Sequence, residues 1–297
     1  MDVDMNGKNS VKRLVSVIAV LALLSSCLFG CSFFGEEEGE SLLSVHFIDV
    51  GQGDCELVIS PSGETMLIDA GKTEAGDEVV SYISSLGISE IDIFVASHYH
   101  EDHIGGSHDV FEAFEIEEAL ILDCEVTTSC ARKLIEDIEK EKCDVSYAKR
   151  GYEFDLGDAR VLTMSPEKIS DKGGNNDSIV LRVEYKSSRY LFTGDAEEAV
   201  EREMLDFYSQ KELSCDLLKL GHHGSSTSSS QEFLDTCAPN IAVISCGEGN
   251  SYGHPHKETL EKMKKTVKSL YRTDVDGDIV ITTDGHKFYL ESTQKSA

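Results

Sequence analysis

The sequence predicts a mixed α/β domain built on two sheets. Three patterns carry that prediction: short strands joined by turns near the start, strand and helix signals alternating through the middle, and a closing hairpin.

The opening strands are "SVHFIDV" (44–50), "CELVIS" (55–60) and "TMLIDAG" (65–71), separated by the turns "GQGD" and "PSGE". In "GDEVVSYISSLGI", Val79, Val80, Ile83 and Leu86 recur at helical spacing. "IDIFVAS" (91–97) reads as a buried strand, and so does "ALILDCEV", which leads to a helix over 129–142. "DSIVLRVEY" and "RYLFTGD" flank the turn "KSS" as a hairpin. "AEEAVEREMLDFY" is helical, "LLKLG" is a short strand, and "IAVISCG" (241–247) is another. A helix over 257–270 and the hairpin "GDIVITTDGHKFYLES" complete the pattern. No Pro-rich or Ser-rich linker interrupts the chain after Leu42, so a single domain over 42–297 is expected.

The 297 residues carry a formal charge of −28. Such a surface repels nucleic acid over most of its area, so an anionic substrate must be attracted locally. At the start, Lys12 and Arg13 precede "LVSVIAVLALLSS", an apolar run too short for a comfortable membrane span. It leads into Cys27 and then Cys31, each in a setting like a bacterial lipobox. Residues 1–31 therefore read as a lipoprotein-type signal peptide and anchor, and 32–41, with "GEEEGE", as an acidic spacer. The expectation is an exported monomer tethered by lipid to the outer face of the cytoplasmic membrane. Seven further cysteines include no CxxC pair, which disfavours a zinc ribbon or a disulfide framework. Cys55, Cys215 and Cys246 read as buried thiols, and one surface bridge between Cys124 and Cys130 stays open.

"VASHYHEDHIGG" (95–106) carries the chemistry, with three of the ten histidines inside six positions. His98 lies at the carboxyl end of a buried strand, where open α/β folds place their sites. In extended chain, residues two apart face the same way, so His98 and His100 can grip one ion. Asp102 and His103 follow at a turn and can hold a second. Six residues cannot complete two coordination shells, so distant partners are required. Asp195, His222, His223 and His254 supply candidates, each at or just beyond a strand end.

With those residues quoted, the chain resembles the metallo-β-lactamase superfamily. The motifs "FIDVGQGDC", "LIDAG", "SHYHEDHIGG", "NNDSIVLRVEY", "LFTGD", "LKLGHHGS" and "YGHPH" are similar, in order over 47–256, to the soluble hydrolase-like domain of the ComEC competence-protein family. That resemblance implies an αβ/βα four-layer sandwich, two mixed sheets with helices outside, and a two-metal site between them. It also implies that the membrane channel of that family is not part of this chain, leaving the hydrolase-like module on its own anchor. Carried over, it implies His98 and His100 on one metal, and Asp102 and His103 on the other. Asp195 would bridge and His222 would complete the second site, with His223 orienting or contacting substrate; an exchange of those two stays open. Superfamily β-lactamases carry a further histidine before the bridging Asp, but here none lies between His108 and His222. Asn175 or Asn176 of "NNDS" stands in that region instead, which disfavours β-lactam hydrolysis. Asp69 would orient a ligand, Ser225 is a candidate phosphate contact, and His46, His108, His256 and His286 read as structural or solvated.

Two divalent ions, zinc or alternatively manganese, would leave the pocket cationic despite the charge of the chain. About 3.5–4 Å apart, such ions acidify a shared water whose hydroxide can attack phosphorus. The expected function is an exported metal-dependent hydrolase, a phosphodiesterase or nuclease acting on an anionic phosphoester, DNA being one candidate. The alternatives are a surface ester hydrolase, such as a phosphocholine esterase on teichoic acid, and a non-catalytic metal-binding surface protein. His254 in "NSYGHPH" is expected to act on substrate, by hydrogen bonding a phosphoryl oxygen or protonating the leaving group. Arg132, Lys133, Lys149, Arg150, Lys264 and Lys265 are scattered in sequence, and avid DNA binding would need them on one surface.

Overall fold

The computed structural model describes residues 42–169 and 172–292. The expected signal segment, with Cys27 and Cys31, and the acidic spacer over 32–41 lie outside the described residues.

The chain opens with β1 (Leu43–Phe47), β2 (Glu56–Ile59) and β3 (Thr65–Ile68), the expected antiparallel meander. Helix α1 (Gly76–Ser85) then carries the chain over to β4 (Glu90–Val95), which lies parallel to β3. The short α2 (Glu101–Ile104) and α3 (Ser107–Ala113) precede β5 (Glu115–Ile121), and α4 (Ser129–Glu141) precedes β6 (Asp144–Tyr147). Thr128 caps α4 by accepting the N–H of Ala131 at 3.2 Å.

The second sheet begins with β7 (Glu153–Leu156), β8 (Ala159–Ser165), β9 (Val180–Tyr185) and β10 (Ser188–Phe192), all antiparallel. Helices α5 (Glu198–Phe207) and α6 (Gln210–Leu213) lead to β11 (Leu217–Lys219), parallel to β10. Then come α7 (Gln231–Cys237), β12 (Ile241–Ile244), α8 (Lys257–Thr266) and β13 (Ser269–Arg272). The final hairpin, β14 (Ile279–Thr283) and β15 (Phe288–Ser292), returns to the first sheet beside β1. The sheet orders are β15-β14-β1-β2-β3-β4-β5-β6 and β13-β12-β11-β10-β9-β8-β7.

Alternation along the strands builds the layers. On β10, Tyr190 and Phe192 join the core between the sheets, while Leu191 joins a second cluster under α5, α7 and α8. Val243 and its neighbours Ala242 and Ile244 divide the same way on β12. Phe47 reaches across from β1 to stack on Phe192, ring centroids 6.2 Å apart. On the far side of the first sheet, Phe94 meets Phe111 of α3 edge-on at 5.3 Å. Val79, Ile83, Leu134 and Ile138 of α1 and α4 complete that layer. The result is the expected four-layer α/β sandwich.

One local expectation is corrected, and two open points are resolved. The helix expected over 257–270 stops at Thr266, and residues 269–272 form β13, because Leu270 is drawn under the second sheet by pairing with Ala242. The strands β6, β7 and β8 occupy a stretch to which the sequence reading assigned no element; β6 and β7 are edge strands with mostly exposed residues, so they carry little hydrophobic alternation. All seven described cysteines are free, including Cys124 and Cys130, while Cys55, Cys215 and Cys246 are buried as expected. Among the described residues, no helix is long and apolar enough to cross a membrane.

Phe47→Ala removes a fully buried ring that locks the two sheets together. It should lower the unfolding free energy by about 3–5 kcal/mol in a urea titration.

Candidate metal centre

Each sheet changes from antiparallel to parallel at one strand, β3 in the first and β10 in the second. The chemistry-bearing residues follow the carboxyl ends of β3, β4, β10, β11 and β12, so they meet where the two switch points face each other.

Asp69, just past β3, holds a positive φ of 60°, rare for a residue other than glycine. That turn lets its carboxylate accept the Ser97 N–H at 2.8 Å and the Ser97 hydroxyl at 2.5 Å. The same carboxylate accepts from His103 Nδ1 at 2.7 Å, which fixes Nε2 as the outward atom, so Asp69 orients His103 as expected. The Gly-Gly after the histidines also has a physical reason. A Cβ on Gly105 would strike the Thr73 N–H, and one on Gly106 the carbonyl of Ala70. The bonds from Ala70 N to His103 O at 2.7 Å and from Gly106 N to Gly71 O at 3.1 Å require that approach.

His222 and His223 both adopt left-handed backbone, φ 51° and 53°. Two consecutive residues in that region store strain that the surroundings must hold, a feature concentrated at functional sites. The consequence is to turn the His223 ring inward. It is buried, with Nδ1 3.0 Å from the Ser245 carbonyl and 3.1 Å from Asp54 Oδ1. Its Nε2 lies 3.4 Å from Asp102 Oδ2 and 3.6 Å from Asp195 Oδ1.

Asp195 is the meeting point. His103 Nε2 is 3.3 Å from its Oδ1, and His98 Nε2 is 4.0 Å from its Oδ2. The donor atoms of His98, His100 and Asp195 lie within 4.8 Å of one another, and so do those of Asp54, His103, Asp195 and His223. His98 Nε2, His103 Nε2, His223 Nε2 and Asp195 Oδ1 are all buried without a hydrogen-bond partner. Three orphaned imidazole nitrogens converging on one carboxylate, itself with an unpartnered oxygen, fit a metal pair, because ions would satisfy what the protein leaves open.

Electrostatics agree. Burial alone would lower the His223 pKa, but Asp195 and Asp54 outweigh it and push it up to about 10. His103 is likewise driven well above its usual value, against burial, by Asp195, Asp69 and Asp54. Burial opposes ionisation of Asp195, yet His223 and His103 hold its carboxyl well below the ordinary range. Carboxylates that draw protons so strongly onto buried imidazoles will draw metal cations onto the same nitrogens.

The arrangement corrects the expected order of the two adjacent histidines. His223, expected to orient or contact substrate, shares the inner pocket with Asp102, His103 and Asp195, whereas His222 stands at its edge. His222 Nε2 is 3.7 Å from Asp195 Oδ2, and its Nδ1 is 3.1 Å from the Thr227 hydroxyl and 3.3 Å from Glu197. Asn175, expected near the first metal, sits against the His222 ring at 3.4 Å. Asn176 does not join it, because its amide is turned away to donate to Glu197 at 3.2 Å.

Outside the cluster, Ser225 is buried, closes a turn with Thr227 at 3.1 Å, and is absent from the cavity wall, so it is not placed to contact phosphate. Ser230 of the same run caps α7. His46 meets Tyr82, His108 meets Asp137, His286 meets Ser187, and His256 accepts the N–H of Ser226, each a structural partner as expected.

Lys219 was not singled out in sequence. It is fully buried on β11, bonded to Asp54 and, at 3.0 Å, to the Gly194 carbonyl. Its signal was a lone cation inside the apolar strand "DLLKLG". The Asp54 that it neutralises is the carboxylate behind His223.

The cluster opens into a cavity of about 470 Å³ whose walls include Lys72, His100, Asn175, His222, Tyr252 and His254. His254, 5.4 Å from His222 between ring centroids, is a wall residue, with its Nδ1 buried and unpartnered.

A model of the metallo-beta-lactamase superfamily matches residues 48–123 and 142–248, which include every residue of the cluster. The chain belongs to the metallo-β-lactamase superfamily. It is 30% identical to ComE operon protein 3 of Bacillus subtilis over 82% of this chain and 33% of that protein. It is also 30% identical to competence protein ComA of Neisseria gonorrhoeae, over 83% of this chain and 33% of that one. The chain thus spans about a third of the length of these curated relatives. Among solved structures, this metallo-β-lactamase fold is similar to that of YhfI from Bacillus subtilis, with TM-score 0.55, 13% identity, 81% of this chain and 100% of that one. A second likeness is to CmlA, a diiron β-hydroxylase from Streptomyces venezuelae, with TM-score 0.51, 12% identity, 77% of this chain and 52% of that one. The metallo-β-lactamase fold generally binds two divalent metals, and this member carries a candidate site for them in a ComEC-like hydrolase domain.

Lys219→Met should destabilise the protein by about 3–5 kcal/mol in urea unfolding, because Asp54 keeps a buried charge without its ammonium partner. The Lys219→Met/Asp54→Asn pair should recover part of that loss.

Proposed function

We propose that this protein is an exported metal-dependent phosphodiesterase or nuclease held at the outer face of the membrane by a lipidated N-terminus. The convergence of orphaned His98, His103 and His223 nitrogens on Asp195, at the floor of an open cavity, carries the reading. His98, His100 and Asp195 would hold one divalent metal, with His222 and Asn175 at its side; Asp102, His103, His223 and Asp195 would hold the other. Zinc suits the imidazoles, and the carboxylates also admit manganese. Such a pair would supply concentrated positive charge that polarises a phosphoryl oxygen and acidifies water.

The residues of the chain do the rest. Asp69 and Asp54 fix the two inner rings through Nδ1, so the Nε2 atoms point at the cavity floor. Lys72 is the Lys or Arg on the cavity wall, and its ammonium has no ion-pair partner among the described residues. It gives an anionic substrate one cationic anchor. Lys133 and Arg150, by contrast, are engaged by Asp137 and Glu203. On this reading, binding would centre on the cavity, where Lys72 lies, rather than on Lys133 or Arg150.

His254 faces the substrate space. Burial, and then the His223 and His222 rings, lower its pKa to about 4. It is neutral at pH 7, so it suits hydrogen-bond donation to a phosphoryl oxygen better than proton delivery to a leaving group.

The reading is tested by metal-reconstituted full-length chain on bis-p-nitrophenyl phosphate, single-stranded DNA and a phosphocholine ester in parallel. Hydrolysis of the first two is expected, and no turnover of any with metal bound would overturn it. Asp195→Ala and His223→Ala should each lose metal by elemental analysis while remaining folded by circular dichroism. His222→Ala should retain more metal than either, and the reverse order would restore His222 as the ligand. His254→Ala should keep its metal and lose about 10²–10³ in kcat, the worth of one aimed donor; an unchanged rate would return it to the loop.

A further inference from the structure

We propose that Tyr252 is the stacking platform for a nucleobase next to the scissile phosphodiester, so that the substrate is a single-stranded nucleic acid. This rests on the phosphodiesterase reading above.

Tyr252 is 60% exposed and lines the same cavity as Asp195, His223 and Lys72. Other exposed aromatics have different settings. Phe207, for example, lies under the Arg150 guanidinium, 4.5 Å from its ring centre. Tyr252 instead lies nearly parallel to His254, with centroids 5.7 Å apart and planes 21° apart.

The loop that presents it is built to hold still. Asn250 Oδ1 accepts the N–H of Tyr252 at 3.1 Å and of His254 at 3.0 Å. Asn250 Nδ2 donates to the carbonyls of Gly247 at 2.9 Å and His254 at 2.5 Å. One side chain thus ties both ends of the turn, and Gly253 between the two rings takes the positive φ of 74° that the turn needs. A ring fixed in this way gives up little conformational entropy when something stacks on it.

The chemistry of the walls selects what stacks. Metal-ligating groups and Lys72 call for a phosphoryl anion, and Tyr252 adds a flat apolar face at the rim. A nucleotide chain offers both parts at adjacent positions. Base–aromatic stacking tolerates any base, but it needs a base freed from a duplex. With a chain charge of −28 and one cationic anchor at the cavity, such stacking can replace the phosphate contacts that the surface lacks.

The test compares wild type, Tyr252→Ala and Tyr252→Phe as full-length, manganese-loaded protein. Substrates are a single-stranded oligonucleotide, the same oligonucleotide made abasic, its duplex, and bis-p-nitrophenyl phosphate. The ratio of kcat/KM on the base-bearing strand to that on the abasic strand should fall about 5- to 150-fold in Tyr252→Ala, and Tyr252→Phe should preserve it. Wild type should favour the single strand over the duplex. If Tyr252→Ala lowers both substrates equally, the ring only supports His254 and the proposal fails while the phosphodiesterase reading stands. If wild type cleaves neither oligonucleotide nor bis-p-nitrophenyl phosphate, both fall together.

Discussion

Two carboxylates buried at one point have to be kept ionised, and much of the structure follows from that constraint. Asp54 and Asp195 are at most 2% exposed, and both lie within reach of His103 and His223. Buried charge on this scale persists only if it is paired and hydrogen-bonded. Lys219 answers part of the demand from inside the second sheet, and the same carboxylates raise the pKa values of His103 and His223 against the effect of burial. Metal ions at the orphaned nitrogens would complete the balance. Glu56, next to this network, goes the other way: burial and then Asp54 raise its pKa, and its carboxyl accepts the Ser245 hydroxyl at 3.2 Å.

The fold gathers these groups because neither sheet could do so alone. The first sheet brings Asp69 and the His98–His103 loop at β3 and β4; the second brings Asp195, His222 and His223 at β10 and β11. The core that joins them, with Phe47 on Phe192, is apolar and tightly shared. Loops past the strand ends are therefore held by a rigid base and can store backbone strain at Asp69, His222 and His223. Strain at those positions is tolerable because the hydrogen bonds to Ser97, Ser245 and Gly194 over-determine each turn.

Much of this was legible in the sequence, for reasons that also mark its limits. Buried strands such as "IDIFVAS" announce themselves by composition, and HxHxDH by its density of ligating side chains. The strands β6 and β7 were hidden because their residues face solvent at the edge of each sheet. Leu270 read as the end of an amphipathic helix, and only its pairing beside β12 makes it strand. The order of His222 and His223 could not be read from adjacency. It is set by two left-handed residues, a backbone fact with no side-chain signature. The Lys219–Asp54 pair joins positions 165 apart, which no local pattern encodes.

The contrast between the chain and its cavity is the last consequence. A charge of −28 keeps polyanions at a distance from most of the surface, and the field falls off within about 10 Å at ordinary ionic strength. Selectivity is then decided inside that length, by groups on the cavity wall. Lys72 provides one fixed charge there, while His254 and Tyr252 provide a donor and a flat face on a loop clamped by Asn250. On the proposed reading, a substrate would have to present its phosphate and its neighbouring group together to gain from all three. An acidic surface with a small, rigid, cation-bearing mouth would then favour a flexible strand that can enter over a stiff duplex that would lie along the repulsive exterior.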